Sequence, residues 1–127
     1  MSVLVDTSVW VDHFRRRNEN LMNLMSLDMA LIHPMVLLEL ACGTPPEPRA
    51  QTLGDLALLK TAEQATLEEV TQFAEREKLY GLGCGLVDLA LLASTLVTPG
   101  ASLWSFDRRL VEVAQRFGVA HRPDLKH

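Results

Sequence analysis

Apolar residues along the chain fall into short clusters of two kinds. Ser2–Val5 is β-branched and apolar on successive positions, which suits a strand buried on both faces better than an alternating amphipathic one. Met29–Ile32 and Ala101–Trp104 read as further short strands. Other clusters have helical spacing: Val9, Trp10, Val11 and Phe14 within Thr7–Arg17, and Leu21, Leu24 and Met25 within Glu19–Met25. Leu67, Val70, Phe73, Ala74 and Tyr80 form a stripe against polar Glu, Gln, Arg and Lys from Thr66 to Tyr80. Pro34 is a good first helical residue for Met35–Cys42, which closes at Gly43. Pro45, Pro46 and Pro48 then make a loop, and a helix follows from about Arg49 to Leu59. A turn at Gly81, Gly83 and Gly85 precedes the apolar helix Leu86–Val97, which Pro99 and Gly100 break. Leu110, Val111, Val113, Ala114 and Phe117 define a last helix, stopped by Gly118.

Short apolar strands interleaved with helices imply a parallel sheet, because parallel neighbours need crossover helices. The expected class is α/β, a three-layer α/β/α sandwich with a central, mostly parallel sheet, formed by one domain over all 127 residues. Ligands of such sheets sit beyond the carboxyl ends of the strands. Position alone therefore singles out Asp6 and the Ser105–Asp107 segment.

Composition changes this picture little. Hydrophobic residues at 48% and charged residues at 22% match an ordinary globular protein, so a fully folded chain is expected. The amino terminus lacks a basic segment and has an acid where a signal peptide would be greasy, and the longest apolar runs fall short of the ~20 residues that span a bilayer. The expected location is cytoplasmic. Cys42 and Cys84 have no metal-ligand spacing and read as small reduced apolar side chains. A net charge of −4 argues against a nucleic-acid partner unless some acids hold cations.

Two acids lie inside nearly continuous apolar helices: Glu39 in Met35–Cys42 and Asp88 in Leu86–Ala93. A helix apolar all round is expected to be buried, and a buried carboxylate demands a neutralising partner. Asp6 and Asp107 fit either a site or a helix cap. If all four meet, two carboxylates ~4 Å apart repel by about 4 kcal/mol at an effective dielectric near 20. A divalent cation resolves that repulsion, and an all-oxygen set favours Mg²⁺ or Mn²⁺ over zinc.

Four blocks follow one another along the chain: Val5-Asp6-Thr7-Ser8-Val9-Trp10-Val11-Asp12, Leu38-Glu39-Leu40, Gly85-Leu86-Val87-Asp88 through Ser94, and Leu103-Trp104-Ser105-Phe106-Asp107. In this order they resemble PIN-domain proteins, specifically the toxin ribonucleases of VapBC toxin–antitoxin pairs. The resemblance implies metal-dependent cleavage of RNA, an inhibiting antitoxin and frequent homodimerisation. Carried over, Asp6, Glu39, Asp88 and Asp107 hold Mg²⁺ or Mn²⁺, Thr7 and Ser105 supply orienting hydroxyls, and Glu39 positions or deprotonates the attacking water. The chain departs from the pattern after the last acid: many relatives carry another acid or polar residue and then Phe, where this one has Arg109 and Leu110. That departure tells against a second metal position and leaves Arg108 and Arg109 to face substrate phosphates.

Arg15, Arg16 and Arg17 suit either the dipole at the end of the first helix or contact with RNA or antitoxin. Trp10 and Trp104 read as core, and the four histidines, His13, His33, His121 and His127, as surface or satisfied structural groups. Two other classes compete. A phosphoacceptor receiver domain shares the size and winding, but wants adjacent acids after its first strand and a late Lys, and no Lys occurs between Lys78 and Lys126. A PIN-like module that only binds is the other.

Overall fold

The computed structural model describes residues 1–123, and its backbone turns the apolar clusters into a four-stranded parallel sheet wrapped by seven helices. In β1 (Ser2–Val5), Val3, Leu4 and Val5 are all fully buried. Because successive strand residues point to opposite faces, three in a row without exposure require a sheet covered on both sides. β2 (Ala30–Ile32) is buried at every position for the same reason.

Chain order then sets the layers. α1 (Thr7–Arg15) and α2 (Glu19–Ser26) link β1 to β2, and α3 (Pro34–Cys42) and α4 (Arg49–Ala57) link β2 to β3 (Lys60–Thr61). α5 (Leu67–Glu77) and α6 (Leu86–Val97) return the chain to β4 (Ala101–Trp104) before α7 (Arg108–Arg116). The sheet order is β3-β2-β1-β4. Right-handed crossovers moving outward from β1 put α1 to α4 on one face, and the reverse crossover into β4 puts α5 and α6 on the other. The packing agrees, with α3 against α1 and α4, and α5 against α6. α7 joins the α5 side, where the Phe117 ring lies 5.3 Å from that of Phe73.

Direction along the sheet reverses at β1, so the topological switch lies between β1 and β4. Their register pairs Val5 with Trp104, and the Asp6 N–H continues the ladder to the Trp104 carbonyl at 2.9 Å. One step further, Asp6 and Ser105 face each other across the switch.

The structure departs from the sequence expectation at one strand and at several element ends. β3 was unforeseen because Lys60 and Thr61 are both exposed and carry no apolar signature; it is a two-residue edge strand held only by backbone pairing. α1 stops at Arg15, with Arg16 extended, so Arg16 and Arg17 lie outside the helix. α5 stops at Glu77, because Lys78 turns left-handed (φ 56°) and buries Leu79 while leaving Tyr80 outside.

A buried polar link joins the layers. The His33 Nδ1 accepts the Met35 N–H at 3.1 Å, capping α3, which leaves Nε2 protonated to donate to Ser94 Oγ of α6 at 3.1 Å. Ser94 Oγ also accepts the Ala65 N–H. Burial lowers the His33 pKa below 6.5 and favours this neutral form.

Candidate active site

Three helix amino termini open at the carboxyl edge of the sheet, and an acid stands at each. Asp6 is the N-cap residue of α1, Asp107 that of α7, and Asp88 is the third residue of α6. Exposed N–H groups and the positive end of each helix dipole lower the cost of gathering negative charge there. Glu39 enters from α3, where its Oε1 accepts a hydrogen bond from Thr7 Oγ1 at the start of α1.

Each carboxylate is tied by one oxygen. Asp6 does not cap α1 with its side chain; its Oδ2 accepts from Ser8 Oγ and Ser105 Oγ, both at 2.7 Å. Asp107 Oδ1 accepts the N–H groups of Arg109 and Leu110 at 3.0 and 3.1 Å, a true side-chain cap. Asp88 Oδ2 reaches back to the Gly85 N–H at 3.3 Å. Among the described residues, the second oxygens, Asp6 Oδ1, Glu39 Oε2, Asp88 Oδ1 and Asp107 Oδ2, have no protein hydrogen bond, and none of the four acids is in a salt bridge.

The four acids share one electrostatic neighbourhood. Burial raises the Asp88 pKa above its ordinary value; the Gly85 N–H opposes this, and the charges of Asp6, Asp107 and Glu39 reinforce it. Among the described residues, however, no three Asp, Glu, His or Cys side chains are drawn together as a ready-made metal cage. An all-oxygen, loosely spaced set suits a hydrated Mg²⁺, which binds through one or two carboxylates and keeps several waters, rather than an ion that demands a full protein cage.

Burial corrects one sequence expectation. Asp6 is buried and Asp88 half-buried, but Glu39 and Asp107 are exposed. The helix around Glu39 is apolar without being enclosed: Leu38 beside it is 64% exposed, and Leu86 at the head of α6 is 60% exposed. Apolar runs marked uncovered helix faces here as well as core.

The basic candidates divide. Arg15 lines a cleft of about 360 Å³ with Thr7, Glu39, Phe14 and Leu40, directly beside the acids. Arg108 and Arg109 line a second cleft with Asp107; Arg108 Nε is 3.6 Å from Glu112, and the Arg109 side chain lies across Gly83, where a Cβ would come within 2.6 Å of it. Ser8 was missed by the sequence reading although it follows Asp6 and Thr7. Its hydroxyl holds Asp6 and also accepts the Phe106 N–H at 3.0 Å. Cys84, expected to be a small reduced apolar side chain, is half-buried; burial raises its pKa, Asp88 and Asp107 add to the rise and Arg109 opposes it, so the thiol stays protonated. Cys42, read as an apolar side chain, is exposed at the end of α3. Trp10 and Trp104 are core, as expected. His127 lies outside the described residues.

A PIN-domain family model matches residues 3–116, and the chain belongs to the PIN-domain family. Within it, the chain is 41% identical over 118 residues to Ribonuclease VapC32 of Mycobacterium tuberculosis strains CDC 1551 and H37Rv, covering 93% of this chain and 94% of the relative. The fold is also that of VapBC-1 from nontypeable Haemophilus influenzae, with a TM-score of 0.71 over 97% of this chain and 98% of that one at 14% identity. The receiver-domain alternative falls with the family assignment.

Proposed function

We propose that this chain is a divalent-metal-dependent endoribonuclease acting as the toxin of a type II toxin–antitoxin pair, with Asp6, Glu39, Asp88 and Asp107 holding Mg²⁺ or Mn²⁺. The observation that carries the reading is the shared asymmetry of the four acids: one oxygen of each is tied to the fold and the other left for a ligand. Kinship supports RNA as substrate, since the 41% identical relative is named a ribonuclease, and the VapBC-1 neighbour supports an antitoxin as partner. The same reading expects a homodimer working in the cytoplasm.

When bound, the cation would offset charge developing on the phosphodiester and make water more acidic. The residues of the chain supply the rest. Ser8 and Ser105 fix Asp6, so its second oxygen holds a constant position at the switch crevice. Thr7 fixes one oxygen of Glu39, leaving the other to orient the attacking water and take its proton as that water adds in line to phosphorus, while the opposite P–O bond to the ribose breaks and the departing oxygen takes a proton from solvent. The amino termini of α1, α6 and α7 bring partial positive charge toward the phosphate. Arg15, Arg108 and Arg109 stand where flanking phosphates would pass.

Incubating purified protein with a mixed RNA pool in Mg²⁺, Mn²⁺ or chelator tests this. Cutting in either metal, absent in chelator and in Asp6→Asn and Asp88→Asn, is the expected result. A folded, partner-free protein that cuts nothing across that pool would leave it a binding module.

A further inference from the structure

Between Ser105 and Asp107 stands Phe106, a large apolar side chain left 51% exposed at the mouth of the site. Its backbone is not loose, because Ser8 Oγ, which also holds Asp6, accepts its N–H. Its ring meets the buried Trp104 edge-on at 6.0 Å, and the His121 ring lies 5.3 Å from that of Trp104. Together with Ser105, Gln115 and Arg122, these three rings line a cleft of about 280 Å³ on the outer side of β4. Ser105 thus belongs both to this cleft and to the carboxylate cluster.

Single exposed apolar residues are common and mean little. This one differs in its setting: a fixed backbone, an aromatic floor, an imidazole whose pKa burial lowers, an exposed guanidinium, and a wall shared with the acids. Unpaired bases of RNA are read by stacking on aromatic or guanidinium planes, while arginines meet the backbone phosphates. The geometry points to Phe106, backed by Trp104 and flanked by His121 and Arg122, as a stacking platform for the unpaired nucleobase next to the scissile phosphate. The inference rests on the ribonuclease reading and deepens it. Phe106 selects single-stranded substrate and fixes its register over the acids, without touching the reacting atoms.

The test uses an oligoribonucleotide cut at one mapped position, with the neighbouring nucleotide either intact or abasic. Phe106→Ala and Phe106→Leu are expected to raise KM about 5- to 100-fold with little change in kcat, while Phe106→Trp stays near the parent. The abasic substrate is expected to erase the difference between the parent and Phe106→Ala. Equal KM for the parent and Phe106→Ala, or full activity of Phe106→Leu, overturns the platform. So does a Phe106→Ala variant that changes only the mass of the assembly in light scattering, which would make this a protein-contact face. Should the parent cut no RNA, the functional reading fails separately. The platform is then judged by Phe106→Trp in chelator: quenching of the added indole by short single-stranded RNA but not by duplex supports it, and no quenching overturns it.

Discussion

At the scale of single residues, the site is a balance between charge repulsion and the bonds that tie each acid. The raised Asp88 pKa means that its folded carboxyl binds a proton more readily than the unfolded one. Its contribution to stability is therefore full below the unfolded value and lost as pH rises through the folded value. At neutral pH without metal, Asp88→Asn should melt above the parent in calorimetry, and added Mn²⁺ should narrow or reverse the gap by stabilising the parent alone. A lower melting temperature for the variant in chelator would contradict this. Ser105→Ala removes a hydrogen bond to a charged group and is expected to cut kcat roughly 10- to 100-fold with the fold intact. The sequence singles out the four acids because Asp6 and Asp107 follow apolar strands, and Glu39 and Asp88 interrupt apolar helices. It does not single out Ser8, because nothing local distinguishes a hydroxyl that will reach across the sheet to Phe106 from one that faces water.

Elements explain why the acids hold their places. α5 is closed by a reciprocal cap in which Thr66 Oγ1 accepts the Glu69 N–H and Glu69 accepts the Thr66 N–H. Thr66→Ala should cost about 1 kcal/mol in denaturant unfolding and leave RNA cleavage unchanged, since α5 lies away from the acids. α3 is different, because its cap is the buried His33. With its folded pKa lowered, the unfolded chain takes up the proton first, so stability is complete above about pH 6.5 and falls as pH drops below it, by at most ~1.4 kcal/mol per unit. His13 and His121 are lowered by burial as well and add in the same direction. His33→Gln should therefore flatten, not abolish, the fall in melting temperature between pH 7 and 5.5; an unchanged slope would remove His33 from that role. Helices with strong periodicity were readable in advance, but their ends were not. Leu79 buries through a left-handed turn at Lys78, and β3 exists only because its neighbour offers unpaired backbone groups.

For the whole molecule, the alternation of apolar strands with helices is enough to expect a parallel three-layer fold, and strand ends are enough to single out Asp6 and the Ser105–Asp107 segment, which the fold brings to the β1–β4 switch. What sequence pattern alone could not show is which apolar helix faces stay uncovered. Leu38 and Leu86 are exposed beside Glu39 and Asp88, so the acids stand at an open rim rather than within a closed core. No helix among the described residues is long and apolar enough to cross a membrane. The central claim is that four acids from four separate segments act on one divalent ion. Its most direct test is Mn²⁺ binding to the folded protein without RNA, followed by electron paramagnetic resonance for the parent and the four single variants Asp6→Asn, Glu39→Gln, Asp88→Asn and Asp107→Asn. The account predicts saturable binding by the parent that is lost or at least tenfold weaker in Asp6→Asn and Asp88→Asn and weakened in the other two. Equal binding by all five folded proteins, or none by the parent, would contradict it.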